Sequence, residues 1–185
     1  MDIMRSQRQD IGGLGNLLFK EAYMYAQMRR GLIPDLFVQS EEYFEEFKDE
    51  IKQRFGSNMG NYDKRVALHV RRGDYVNNPF YVDLFADGYY ERAMRHFNGS
   101  FLVFSDDMSW CKEQPIFRHC DFAEVGTDVD QLNWFAMCGD RIIANSSFSW
   151  WGAYLSPNKG LTIAPKKWHP DGICRTKLPA EWLQI

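Results

Sequence analysis

The chain has 185 residues, 45% hydrophobic and 16% aromatic, which fits one compact domain or a shortened two-lobed one and excludes both a large multidomain assembly and a disordered polymer. Lys and Arg number 22 against 25 Asp and Glu, a net charge of −3, so no overall field favours nucleic acid or an anionic membrane, and any polyanion must bind at a local cluster. No apolar run approaches the roughly 18 residues of a membrane span, and the polar start Met1-Asp2-Ile3-Met4-Arg5-Ser6 lacks a secretory hydrophobic stretch, so a cytoplasmic protein without a membrane span is expected.

Gly12-Gly13-Leu14-Gly15-Asn16 reads as a glycine loop feeding a helix over 17–30, where Leu18, Ala22 and Tyr25 recur at helical spacing before Gly31 and Pro34 stop the pattern. Ser40 opens a second helix with Tyr43, Phe44, Phe47, Ile51 and Phe55 on one face and Glu41 and Glu42 on a solvated one. Residues 56–63 read as a linker, dividing the chain into a reduced N-terminal lobe (1–60) and a sheet domain (61–185). From Val66 a different rhythm begins: apolar runs at 66–70, 101–105, 122–125, 141–144 and 161–164 alternate with amphipathic stretches at 88–97, 108–114, 129–138 and 149–155. Continuous apolar runs suit strands buried on both faces, and parallel strands need helical crossovers. The expected fold is therefore α/β, a Rossmann-like parallel sheet with helices on both faces. Cys111, Cys120, Cys138 and Cys174 form no CxxC pair, so buried thiols are expected rather than disulfides or zinc.

Polar clusters follow the expected strands: Arg71-Arg72-Gly73-Asp74, Asp106-Asp107, Gly126-Thr127-Asp128, Asn145-Ser146-Ser147 and Lys166-Lys167. In a parallel sheet these ends share one edge, where open α/β sheets bind ligands, so all five are expected to converge on one crevice. Adjacent arginines grip phosphate oxygens with planar donors that never deprotonate. Ser146-Ser147 and Gly12–Asn16 each precede a helix, where backbone N–H groups also hold phosphate, and three such elements imply a diphosphate. Each has a plainer reading. The arginines can be a surface ion-pair cluster, the glycines a turn, the serines and Asp106-Asp107 helix caps, His69 a satisfied core histidine, and Trp150 and Trp151 core residues.

Taken in order, Gly-Gly-Leu-Gly-Asn at 12–16, His-Val-Arg-Arg-Gly-Asp at 69–74, Phe-Ser-Asp-Asp at 104–107, Ile-Ile-Ala-Asn-Ser-Ser-Phe-Ser-Trp-Trp-Gly-Ala at 142–153 and Ala-Pro-Lys-Lys-Trp at 164–168 resemble the family 11 glycosyltransferases, the α-1,2-fucosyltransferases. The resemblance implies a GT-B-type fold, GDP-fucose as donor substrate with no cofactor or metal, and inverting transfer to a galactose 2-hydroxyl of a glycan acceptor. By position, Arg71 resembles the arginine that holds the donor diphosphate, with Arg72 supporting it, and His69 the residue facing the nucleoside. Asn145, Ser146 and Ser147 resemble the stretch on the β-phosphate, Asp130 or Asp128 an acidic residue reading guanine, and Gly13, Gly15 and Asn16 the loop reaching the donor from the other lobe. The departure is size: between the first helix and His69, family members carry about 100 more residues, roughly a lobe's worth. Much of the acceptor lobe is absent by this reckoning, and a homodimer is one way to supply the missing wall.

Inverting transfer needs a general base and a positive clamp on the departing diphosphate. Arg71 supplies the clamp. Asp74, in the same loop, is the candidate base or acceptor-positioning carboxylate, an Arg–Asp salt bridge being an equal reading. Asp128-Val129-Asp130 has the spacing of a metal-binding pair but opens an expected helix, where it reads as a cap plus a nucleoside contact. Two functions follow: a minimal nucleotide-sugar transferase, or a non-catalytic binder of GDP or a GDP-sugar that has lost its acceptor lobe. The retained glycine segment favours the first.

Overall fold

The structure, a computed structural model, describes residues 13–30, 40–56, 62–124, 126–171 and 176–185. Gly12, Gly31, Pro34, Val125, Cys174 and most of the expected linker, residues 57–61, lie outside the described residues.

Six strands form one sheet: β1 (Asp63–Val70), β2 (Phe101–Ser105), β3 (Asp121–Phe122), β4 (Cys138–Ile142), β5 (Thr162–Ala164) and β6 (Leu183–Gln184). Their order is β3-β2-β1-β4-β5-β6 and every pairing is parallel, the doubly wound arrangement in which strand order reverses between β1 and β4. Side-chain alternation sorts the core into two layers. Val66, Leu68 and Val70, with Val103, Ile142, Ala144 and Ile163, face α3 (Tyr89–Met94) and α4 (Met108–Glu113). Ala67, Leu102, Phe104, Ile143 and Ala164 face α1 (Leu14–Arg29), α5 (Asp128–Met137) and α6 (Ser147–Tyr154), with α2 (Lys48–Phe55) packed on that layer through Ile51. The α/β class and the parallel sheet with helices on both faces are as the sequence predicts.

Several boundaries differ. The first helix begins at Leu14, so Gly13–Asn16 form its opening turn, with the Asn16 and Leu17 amides donating to the Gly13 carbonyl at 3.0 and 3.2 Å. Leu18, Phe19, Ala22 and Ala26 form its buried face. Ser40 caps a short 3-10 turn (Glu41–Tyr43), accepting from the Glu42 amide at 3.3 Å, and a second turn (Glu45–Phe47) precedes α2. The acidic face is not uniformly solvated: Glu42 is exposed and paired with Lys177, whereas burial pushes the half-buried Glu41 carboxyl above its usual range. Trp150 and Trp151 are fully buried core residues. Cys111 and Cys138 are buried and Cys120 partly so, all three free thiols. Among the described residues, no helix is long and apolar enough to cross a membrane.

Candidate functional site

Three elements meet at the carboxyl end of β1 and β4. β1 delivers His69, then Arg71 through Asp74; β4 runs through Ile143 and Ala144 into Asn145, Ser146 and α6; α1 arrives from the start of the chain. The close approach of α1 to α6 needs Gly15, where a Cβ would overlap the Ser147 carbonyl carbon and the Phe148 nitrogen. Ser146 holds the N-cap position of α6 in extended backbone, yet its side chain makes no capping hydrogen bond. The helix start therefore carries the partial positive charge of its N–H groups without an intrahelical acceptor for them.

Arg71 is held between two carboxylates. One guanidinium nitrogen donates to Asp106 at 2.7 Å and the other to Asp74, and the side chain is about one-third exposed. Its guanidinium also lies 5.2 Å from the centre of the Tyr75 ring. Asp106 has a second task, accepting the Arg72 backbone N–H at 2.8 Å, and it lies so close to Gly73 that a Cβ there would strike its carboxylate; Gly73 also has φ of +23°. The Arg72 side chain turns to α4, stacking 3.6 Å above the Trp110 ring centre and donating to Asp107 at 3.3 Å. Asp107 meanwhile caps α4 through the Trp110 amide at 3.2 Å. Beneath the arginines the cleft lined by Val70, Tyr75, Leu84, Tyr90 and Trp110 narrows to about 20 Å³, room for roughly one water.

His69 is 5% exposed and wedged between Phe148, at 5.1 Å between ring centres, and Phe135. Its Nδ1 has no hydrogen-bond partner among the described residues. Burial, aided by the Arg71 charge, pushes the imidazole pKa down to about 3, so the ring is neutral at physiological pH. Asn145 is buried, and its amide donates to the Val82 and Trp168 carbonyls at 3.0 and 3.2 Å. It ties the loop after β1 to the segment after β5, and the Tyr75 hydroxyl donates to its carbonyl at 3.1 Å.

Of the five clusters expected to converge, 71–74 and 106–107 touch directly, and Asn145 of the third is tied to Tyr75, next to the first, and to Trp168, next to Lys167. Thr127 and Asp130 lie beyond β3 at the sheet edge and form a capping box, the Asp130 carboxylate accepting from the Thr127 amide and hydroxyl at 2.8 Å each, which lowers its pKa. Lys166 and Lys167 follow β5, beyond β4, and are exposed. Sequence reading missed the double role of Asp106 and the aromatic loop 75–82; the apposition of Asp-Asp to Arg-Arg at neighbouring strand ends was the available signal. Among the described residues no group of three or more His, Cys, Asp or Glu is placed to hold a metal ion.

Comparison with known proteins bears on this edge. A family model described as glycosyl transferase family 11 matches residues 4–185. An alpha-1,2-colitosyltransferase of Escherichia coli is 37% identical over 176 residues, covering 80% of this chain and 61% of the relative. An O-antigen biosynthesis glycosyltransferase of Escherichia coli is 34% identical over 65% of this chain and 44% of its own length, and a galactoside 2-alpha-L-fucosyltransferase of Bos taurus 34% identical over 59% and 32%. The chain thus spans less than two thirds of the length of these relatives. No solved structure matches it. With the family model running across both helical and sheet segments, the chain belongs to glycosyl transferase family 11.

Proposed function

We propose that the chain is the donor-binding half of a GT-B-type glycosyltransferase, holding GDP-fucose or a related GDP-sugar and transferring the sugar with inversion to a galactose hydroxyl of a glycan, in α-1,2 linkage. The observation that carries this is the arrival of Arg71 and of the side-chain-uncapped start of α6 at the carboxyl ends of the neighbouring strands β1 and β4, where Gly15 of α1 packs against Ser147. Relatives named for colitose and fucose transfer point to the sugar class. In the step itself the acceptor oxygen bonds to the anomeric carbon as the bond from that carbon to the diphosphate oxygen breaks, and the acceptor proton passes to a base. Arg71 neutralises the leaving diphosphate. Asp74, its carboxylate 67% exposed against 27% for Asp106, is the partner a diphosphate displaces more easily. Once displaced it is free to take the proton, which reconciles its salt-bridge and base readings. Gly13, Gly15 and Asn16 border the donor from α1, His69 offers it a buried Nδ1, and Asp130 lies in the segment proposed to read guanine.

Melting in the presence of GDP, UDP and ADP tests the donor. GDP at a hundredfold excess over Kd should add about 2.7 kcal/mol of stability, UDP and ADP much less; equal shifts would remove the guanine assignment, and no shift with any nucleotide would remove the donor site. Transfer from GDP-fucose to galactose-ended acceptors, run with EDTA, with magnesium and with neither, tests the chemistry. Turnover in all three is expected. Loss under EDTA restored by magnesium would reassign Asp128 and Asp130 as ligands, and GDP binding without turnover would favour the non-catalytic reading.

A further inference from the structure

The loop after β1 holds an aromatic surface that the donor site does not use. Phe80 is 48% and Val76 44% exposed, although burying such groups is the usual way a domain gains stability. The exposure is not that of a loose loop. The Tyr75 and Tyr81 rings stack 3.6 Å apart and 4° from parallel, the Phe80 ring meets Tyr81 edge-on at 5.1 Å, and His169 packs on Phe80 at 4.6 Å. His169 Nδ1 lies 2.9 Å from the Phe80 carbonyl. The turn between is fixed by Asn77 in left-handed backbone (φ +58°) and by Asn78, whose amide group accepts from Phe80 N at 3.0 Å and donates to the Asp74 carbonyl at 3.1 Å. Both ends are anchored in the site: Tyr75 to Asn145, and Val82 to Trp168 and Asn145.

We infer that this ring cluster is the acceptor platform, on which Phe80 and Tyr81 hold the apolar face of a neutral pyranose. The inference rests on the donor reading above. Three observations select a sugar ring as occupant. The surface is continuous with the donor edge, since the Arg71 guanidinium lies over Tyr75, Tyr75 stacks on Tyr81, and Tyr81 abuts Phe80. Transfer demands that an acceptor hydroxyl come within about 3–3.5 Å of the anomeric carbon, so the acceptor must lie along a wall of that edge. A pyranose also presents one apolar C–H face ringed by hydroxyls, and here exposed aromatic carbon is bordered by the polar side chains of Asp74 and Asn77, both exposed, and Asn78. The sheet domain thereby supplies an acceptor wall of its own.

Calorimetric titration with N-acetyllactosamine, in the presence of GDP, tests the platform in wild type, Phe80→Ala and Phe80→Tyr, with GDP affinity measured separately for each. Phe80→Ala is expected to weaken glycan binding by about three- to tenfold, Phe80→Tyr to restore it, and GDP affinity to stay the same in all three. Phe80→Tyr should melt with the wild type and Phe80→Ala slightly below it, since the half-exposed ring meets Tyr81 and His169. Glycan affinity unchanged in Phe80→Ala, or no glycan binding by a wild type that binds GDP, would overturn the platform while leaving the donor site standing. A wild type that binds the glycan but no GDP would remove the donor reading, and this inference with it.

Discussion

Arg71, just past the end of β1, and Arg141, on the neighbouring strand β4, make opposite uses of the same side chain. Arg141 is 2% exposed near the amino end of the sheet, and its guanidinium meets only neutral oxygens: the carbonyls of Cys138, Asn158 and Gly160 and the hydroxyls of Ser156 and Thr162. Among the described residues it has no carboxylate partner, and burial pulls its pKa down. A cavity of about 730 Å³ opens beside it, lined also by Lys52, Tyr154, Lys159, Glu181 and Trp182. Arg71 stands at the carboxyl end, partly exposed, with all its ion-pair partners acidic. Carbonyls woven into a loop cannot be exchanged without unfolding it, whereas an exposed carboxylate yields to a better anion. One arginine is a fastening and the other, in the function proposed above, a socket, and the larger of the two cavities lies with the fastening.

Replacing the fastening should have the largest effect. Arg141→Met strands several buried oxygens without donors and should cost about 3 kcal/mol or more of stability by urea unfolding; a loss below about 1 kcal/mol would break the contrast. Arg71→Lys should do the reverse. Exposed ion pairs contribute about 0–1 kcal/mol, so the unfolding midpoint should hardly move, while calorimetry shows GDP affinity falling about ten- to a hundredfold for want of the planar two-pronged donor. Unchanged affinity would mean that Arg71 is no socket. His69 sharpens the comparison from within the same strand, being buried like Arg141 yet next to Arg71. Its folded pKa of about 3 lies below the unfolded value near 6.5. Between those limits only the unfolded chain takes the proton, so stability falls as pH drops through that window, by up to about 1.4 kcal/mol per pH unit. Urea midpoints followed from neutral pH down to about pH 4 should show a shallower decline in His69→Asn; parallel declines would mean that solvent reaches the imidazole.

The same contrast explains what could be read from the sequence. Val66–Val70 and Phe101–Ser105 announce themselves because strands covered on both faces are apolar throughout. The start of β4 does not, since Cys-Gly-Asp-Arg carries a charge whose satisfaction depends on the loop 156–160, and no local pattern reveals that. β6 is two residues long and exists only through its register with β5. Arg71, Ser146 and Ser147 could be placed at one edge of the sheet because β1 and β4 are neighbours, whereas nothing in the sequence shows that Asn145 is tied to Tyr75 and Trp168. The Tyr75–Tyr81 stack depends on a left-handed Asn77, which residue type alone does not dictate.

The contact of Gly15 with Ser147 and Phe148 also sets a timetable. The apolar side of α1 is covered by α6, with Phe19 at 4.5 and 5.0 Å from the rings of Trp150 and Trp151. A ribosome makes α1 long before α6. Until α6 emerges, α1 waits with Leu18, Phe19 and Ala22 uncovered on that side, the kind of segment that holding chaperones bind. The packing of α1 on α6 comes into existence only once α6 emerges, so a nascent chain stalled before Trp150 should lack the nucleotide site proposed above.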